Sequence, residues 1–149
     1  MLGCSISKVW CAFIVNHMTV CAAQSGADPQ EDEDLHVQAV KSALWLDYAK
    51  RNRLNADIRE QAGDTFGAEL SLARAEVRRA AAELLLAGTT LLEAAREMHR
   101  RAIAHSYRDL PLIGFDAAAL DYTRARIWQD CAWAIDPTLP EVQARLFWE

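Results

Sequence analysis

Residues 64–107 read DTFGAELSLARAEVRRAAAELLLAGTTLLEAAREMHRRAIAHSY, and apolar side chains recur along them at alternating steps of four and three. On an α-helix this spacing places the recurring side chains in one stripe along the surface. The stripe consists of Phe66, Leu70, Ala73, Val77, Ala80, Leu84, Ala87, Leu91, Ala94 and Met98. Since an apolar stripe of this length must be covered, the segment predicts helices that pack against other helices.

The stripe is interrupted in its middle by Gly88-Thr89-Thr90. A glycine is suited to end a helix, and Thr90 with Glu93 has the S/T-x-x-E spacing of a capping box, which begins one. We therefore predict two helices, residues 66–87 and 91–107, joined as a hairpin. The alternative is one long helix, because the stripe keeps its phase across Gly88 and a single glycine costs a helix only about 1 kcal/mol.

The composition favours helices in the rest of the chain as well. The 149 residues are enough for one domain, and 52% apolar with 25% charged residues is typical of a globular protein. Prolines and glycines are few, and alternating runs of β-branched residues are absent. We predict an all-α fold, an antiparallel helical bundle of four main helices plus a short C-terminal helix.

The remaining helices are predicted from their caps and apolar spacing. The first covers residues 35–61, with Asp34 as its cap. Its predicted buried face consists of Val37, Val40, Leu44, Tyr48, Leu54 and Ile58, and Trp45 and Leu46 broaden this face near its middle. The fourth begins at Asp116, with Phe115 and Leu120 as a hydrophobic staple, and ends before Pro137. Thr138 and Glu141 form a second capping box, which predicts the short C-terminal helix.

The first 23 residues admit two interpretations. Lys8 precedes an apolar run at residues 9–15, and small residues favour cleavage after Ala22 or Ala23, as in a secretory signal peptide. The protein would then be secreted or periplasmic. The alternative is a disordered N-terminus of a cytoplasmic protein, with translation starting at Met18. Since no apolar stretch reaches the ~20 residues that a membrane helix requires, we expect no transmembrane segment and a soluble mature protein.

Residues 24–34 are predicted to be a flexible acidic linker, and residues 35–149 the helical bundle domain. The net charge of −5 is accounted for by five acidic residues at the linker, Asp28, Glu31, Asp32, Glu33 and Asp34. The other sixteen acidic residues equal the sixteen basic ones in number. Such a neutral body differs from the strongly basic domains that usually bind nucleic acid.

The sequence offers no recognisable catalytic, metal or cofactor motif. The four histidines are scattered along the chain, and glycine-rich phosphate loops, nucleophile elbows and zinc-binding spacings are absent. Cys131 falls on the apolar face of its helix, where a cysteine usually acts as a small hydrophobic residue. We therefore predict that the protein is not an enzyme and holds no cofactor. An enzyme whose site is assembled from distant residues stays an alternative.

Two groups of side chains are candidate binding residues. Arginines occur in close pairs, of which Arg78 with Arg79 and Arg100 with Arg101 are candidate anion contacts, because planar guanidinium groups suit phosphates. The alternative for these pairs is a solvated surface balanced by neighbouring carboxylates.

Aromatic residues are concentrated near the C-terminus, at Trp128, Trp133, Phe147 and Trp148. Trp128 and Trp133 are five positions apart and cannot both face one core, and exposed tryptophans are favoured at interfaces. These four residues are a candidate partner surface, unless the last helix folds back over them.

We therefore predict a helical protein–protein interaction or scaffolding module that binds a protein partner or itself. The alternatives are a nucleic-acid-associated regulatory protein, which is disfavoured by the charge, and the enzyme with a dispersed site.

Overall fold

Four helices make up most of the residues that the computed structural model describes, which are 29–106 and 114–142. They are α1 (Pro29–Gln61), α2 (Thr65–Leu86), α3 (Leu91–Ser106) and α4 (Phe115–Trp133). These residues contain no β-strand. The predicted all-α fold with four main helices is therefore confirmed.

The turn between α2 and α3 confirms the hairpin and excludes the single long helix. Gly88 has a φ of +79°, a left-handed conformation that ends the helical geometry and suits glycine. Thr90 Oγ1 accepts a hydrogen bond from the Glu93 amide at 3.2 Å, and Glu93 Oε2 accepts one from the Thr90 amide at 3.0 Å. This reciprocal pair is the predicted capping box, and the hydrogen bonds from Thr90 lower the pKa of the Glu93 carboxyl.

The start of α2 is also the predicted one. Asp64 Oδ1 accepts a hydrogen bond from the Gly67 amide at 2.9 Å, and Asp64 Oδ2 lies 2.9 Å from the Arg59 guanidinium at the end of α1. One aspartate thus caps α2 and joins it to the end of the preceding helix.

Two helix starts differ from the prediction. α1 begins at Pro29 rather than Leu35, because proline suits the first position of a helix and Glu31 and Asp32 in the first turn favour its dipole. α4 begins at Phe115, with Gly114 as the residue before it and no side-chain cap. The hydrophobic staple is wrong, because Phe115 is 74% exposed.

The predicted buried face of α1 is wrong over most of its length. α1 instead buries Ser42, Ala49 and Ala56, together with Trp45, which the sequence predicts at the broadened middle of its buried face. On this side α1 reaches the core through side chains, chiefly the Trp45 ring, while the closest backbone contacts are those among the other three helices. Leu46 and Tyr48, both predicted on this face, do pack against the core, where they are half-buried.

The chain divides into two compact units after Val37. The core belongs to the second unit and contains residues from all four helices. Its large side chains are Trp45, Val77, Leu85, Met98, Ile127 and Trp128. Between them are alanines with almost no exposed surface, namely Ala81, Ala82, Ala94, Ala95, Ala102 and Ala132. The most extensive backbone contact is between α3 and α4, followed by that between α2 and α4. Small side chains at these contacts allow the helix backbones to come close.

The segment after α4 folds back onto the core as turns. Ile135, Leu139 and Val142 pack against the core cluster. The Thr138 amide donates to Asp136 Oδ1 at 3.0 Å rather than beginning a helix, and hydrogen bonds from Thr138 lower the pKa of Asp136. The predicted short C-terminal helix extends to residues 143–149, which lie outside the described residues.

Candidate interaction surface

The face of α1 that points away from the core carries four large aliphatic side chains. Val40, Leu44, Leu54 and Ile58 are between 45% and 60% exposed. With 3.6 residues per turn, their positions lie within about 80° of one another around the helix axis. They were predicted to be core residues, and the structure places them on the surface.

A charged pair occupies the middle of the same stripe. Asp47 Oδ2 lies 2.8 Å from Arg51 Nη2, and the two side chains are 50% and 70% exposed. Both positions fall within the ~80° arc of the aliphatic side chains. We call these six residues, Val40, Leu44, Asp47, Arg51, Leu54 and Ile58, the α1 outer stripe.

The buried side of α1 is directly opposite the outer stripe. Counted at about 100° per residue, Trp45, Ala49 and Ala56 lie roughly 140–180° around the helix from Val40 and Ile58. The helix therefore has apolar side chains on two opposite sides, and the core of the described residues covers one of them. The other side, the α1 outer stripe, is exposed and can contact another molecule.

The predicted aromatic surface is divided by the fold. Trp128 is 4% exposed and belongs to the core cluster. Trp133 is half-buried, and its indole Nε1 donates to the Leu139 carbonyl at 2.9 Å, so the segment after α4 partly covers it. Phe147 and Trp148 lie outside the described residues. The structure thus brings neither described tryptophan to an open surface.

The predicted anion contacts already have partners within the fold. Arg78 stacks on the Tyr48 ring at 4.7 Å, and Arg79 Nε lies 2.9 Å from Glu83 Oε1. Arg100 and Arg101 both donate to Glu97, each through Nε at 2.8 Å. Arg101 also stacks on Trp128 at 5.0 Å.

These contacts restrain the arginines. The hydrogen bond from Arg101, together with Arg100, lowers the pKa of Glu97, so the carboxylate that holds both guanidinium groups is stabilised in its charged form. Glu97 and Arg101 are one helical turn apart, as the surface-pair interpretation of the sequence expects. A phosphate ligand would have to compete with Glu97 for these two side chains.

A second charged group joins three helices. His105 Nδ1 of α3 lies 3.1 Å from Asp121 Oδ1 of α4, and the Asp121 side chain is 7% exposed. Arg124 is 3.7 Å from Asp121 and also 3.7 Å from Glu76 of α2. These contacts tie α2, α3 and α4 together at their surfaces. Among the described residues, no three or more His, Cys, Asp or Glu side chains are grouped so as to hold a metal ion.

Cys131 is buried in the core cluster, at 3% exposure. Burial raises the pKa of its thiol to about 12, so at neutral pH almost none of it is the reactive thiolate. We expect iodoacetamide at pH 8 to leave Cys131 unmodified in the folded protein and to modify it rapidly in urea. Peptide mass spectrometry after timed labelling measures both rates separately from those of the other cysteines. Equal rates with and without urea would contradict the burial of this thiol.

The sequence contains a signal for the outer stripe that the spacing of apolar residues alone does not reveal. Asp47 and Arg51 continue the spacing of Val40 and Leu44, so the face predicted to be buried has two charges at its centre. Charges are rarely buried unless they are paired, and the opposite face carries none in its middle, from Ser42 to Ala49. Weighing the charges would have favoured the face that the structure buries.

Comparisons of the chain with models of protein families, with curated proteins and with solved structures find no match. No relative therefore supplies a function for the outer stripe. Among residues 29–106 and 114–142, no helix combines the length and apolar character that crossing a bilayer requires.

Proposed function

We propose that the chain is a non-enzymatic protein–protein interaction or scaffolding module that binds through the α1 outer stripe. The observation that carries this proposal is the exposure of Val40, Leu44, Leu54 and Ile58 on the side of α1 opposite the core. The stripe exposes two aliphatic pairs, Val40 with Leu44 and Leu54 with Ile58, and apolar groups exposed together on one face often mark a binding surface. Apolar residues at i, i+4 and their repeats are also the pattern by which a helix docks into a groove or against another helix.

The surroundings of the stripe favour a protein partner over nucleic acid. Asp47 and Arg51 at its centre neutralise each other, so the stripe has little net charge with which to attract phosphates. The paired arginines on α3, Arg100 and Arg101, are held by Glu97. A helix face with aliphatic ends and a central ion pair instead matches another amphipathic helix.

Site-specific photocrosslinking in the producing cell tests the proposal. A benzophenone amino acid at position 54 is expected to form adducts with a polypeptide, because Leu54 lies in the stripe. Position 86 is the matched control, since Leu86 at the end of α2 is 61% exposed and Leu54 is 60% exposed. Adducts that are equal at the two positions, or absent at position 54, would contradict the proposal. Adducts with nucleic acid in place of a polypeptide at position 54 would favour the nucleic-acid alternative.

A further inference from the structure

We infer that the partner of the α1 outer stripe is the same stripe of a second copy of this chain, packed antiparallel about a two-fold axis at the level of Ala49. This assignment rests on the proposed function and names the partner that the surface binds. It is carried by the order of apolar and charged residues along the stripe, together with their exposure on one face.

The outer stripe has the spacing of a coiled-coil seam. Its residues follow one another at steps of four, three, four, three and four, which alternate between the a and d positions of a heptad repeat. A second helix with the same spacing can place its side chains into the gaps between them. The stripe is therefore built to pack along a helix rather than against a flat or irregular surface.

The order of residues along the stripe is self-complementary when it is reversed. Asp47 and Arg51 lie two residues on either side of Ala49, and Leu44 and Leu54 lie five on either side. In an antiparallel pair, Asp47 of one copy therefore meets Arg51 of the other, and Leu44 meets Leu54.

The ends of the stripe follow the same rule. Val40 and Ile58 lie nine residues on either side of Ala49 and meet each other across the pair. Each aliphatic side chain of the stripe thus meets an aliphatic one, and each charge meets its opposite. The contact uses the same surface on both copies, as a closed two-fold dimer requires.

The charges also disfavour the parallel arrangement in register. That arrangement would place Asp47 opposite Asp47 and Arg51 opposite Arg51, and like charges in contact oppose association. In the antiparallel pair the two copies instead contribute a cluster of two carboxylates and two guanidinium groups. Lys50 flanks the stripe near the axis in both copies, and repulsion between the two lysines opposes the pairing in part.

Charge exchange at the centre of the stripe tests the inference on the purified full chain. Sedimentation equilibrium measures the dimer dissociation constant of the wild type and of three variants. Asp47→Arg and Arg51→Asp each place like charges across the axis and are expected to raise the dissociation constant about tenfold or more. The double variant, Asp47→Arg with Arg51→Asp, restores opposite charges and is expected to return to within a few-fold of the wild type.

The substituted side chains are at least half exposed, so the variants are expected to keep the fold, and circular dichroism checks this. Leu44→Glu is expected to abolish the dimer, whereas Leu86→Glu, outside the stripe, is expected to leave it unchanged. The antiparallel pairing would be overturned if the single charge variants left the dimer dissociation constant unchanged. It would also be overturned if the double variant had a dissociation constant as high as those of the single variants.

The experiments can disprove the homodimer without disproving the proposed interaction module. A monomeric purified protein that still crosslinks to a different polypeptide through position 54 would overturn the homodimer and leave the interaction module standing. A monomeric protein without any adduct at position 54 would overturn both.

Discussion

Replacing Trp128 by alanine is expected to lower the free energy of unfolding by about 3–5 kcal/mol. Its side chain is 4% exposed and belongs to the cluster that contains Leu85, Met98 and Ile127. Removing the ring loses its burial and leaves a cavity that the surrounding helices fill only in part. The Arg101 guanidinium would also lose the ring on which it stacks. Urea unfolding followed by circular dichroism measures the change.

Trp133→Ala is the matched control, since it removes the same side chain from the same helix. Trp133 is half-buried and donates one hydrogen bond to the Leu139 carbonyl. A hydrogen bond of this kind contributes about 1 kcal/mol net, so the loss here is expected to be clearly smaller than at Trp128. If Trp133→Ala destabilised the protein as much as Trp128→Ala, the assignment of Trp128 to the core would be contradicted.

The comparison of these two variants also measures how much Trp128 and Trp133 each contribute to the stability of the fold. Their spacing of five predicts that at least one of them is partly exposed or covered by the last helix. In the structure Trp128 is buried in the core, and Trp133 is partly covered by the segment that follows α4. That covering depends on a chain reversal at Asp136 and Pro137, and helix periodicity contains no information about the position of the reversed segment.

Features fixed by neighbouring residues were predictable from the sequence. The capping box of Thr90 and Glu93 and the cap at Asp64 each involve groups three residues apart, so the motif specifies the geometry. The pairing of Glu97 with Arg101 is local in the same way. The all-α fold follows from such local signals added along the chain.

Contacts between helices were not predictable in the same way. The stacking of Arg78 on Tyr48 joins residues from different helices, and no local pattern specifies it. The prediction for α1 is wrong at Val40, Leu44, Leu54 and Ile58, because regularly spaced aliphatic residues are a stronger local pattern than the small residues Ser42, Ala49 and Ala56. A helix with apolar residues on two sides can bury either side, and its contacts with the other helices determine which side is buried. The candidate interaction surface follows from that selection.

The buried alanines of the core are expected to be sensitive to substitution by larger side chains. Ala102 on α3 has no exposed surface, and α3 makes its most extensive backbone contact with α4. Leucine at this position would add three carbon atoms where the helices are closely packed. We expect Ala102→Leu to lower the free energy of unfolding by about 1–3 kcal/mol, because overpacking forces shifted backbones or strained side chains.

Ala104→Leu separates this packing effect from any general effect of leucine in α3. Ala104 lies on the same helix but is exposed, so the larger side chain there meets solvent. The expected change is within about 0.5 kcal/mol, since surface substitutions away from special features have small effects. Urea unfolding of both variants measures the difference. Equal stabilities would mean that the contact between α3 and α4 has room for a larger side chain, and that the buried alanines do not set the distance between these helices.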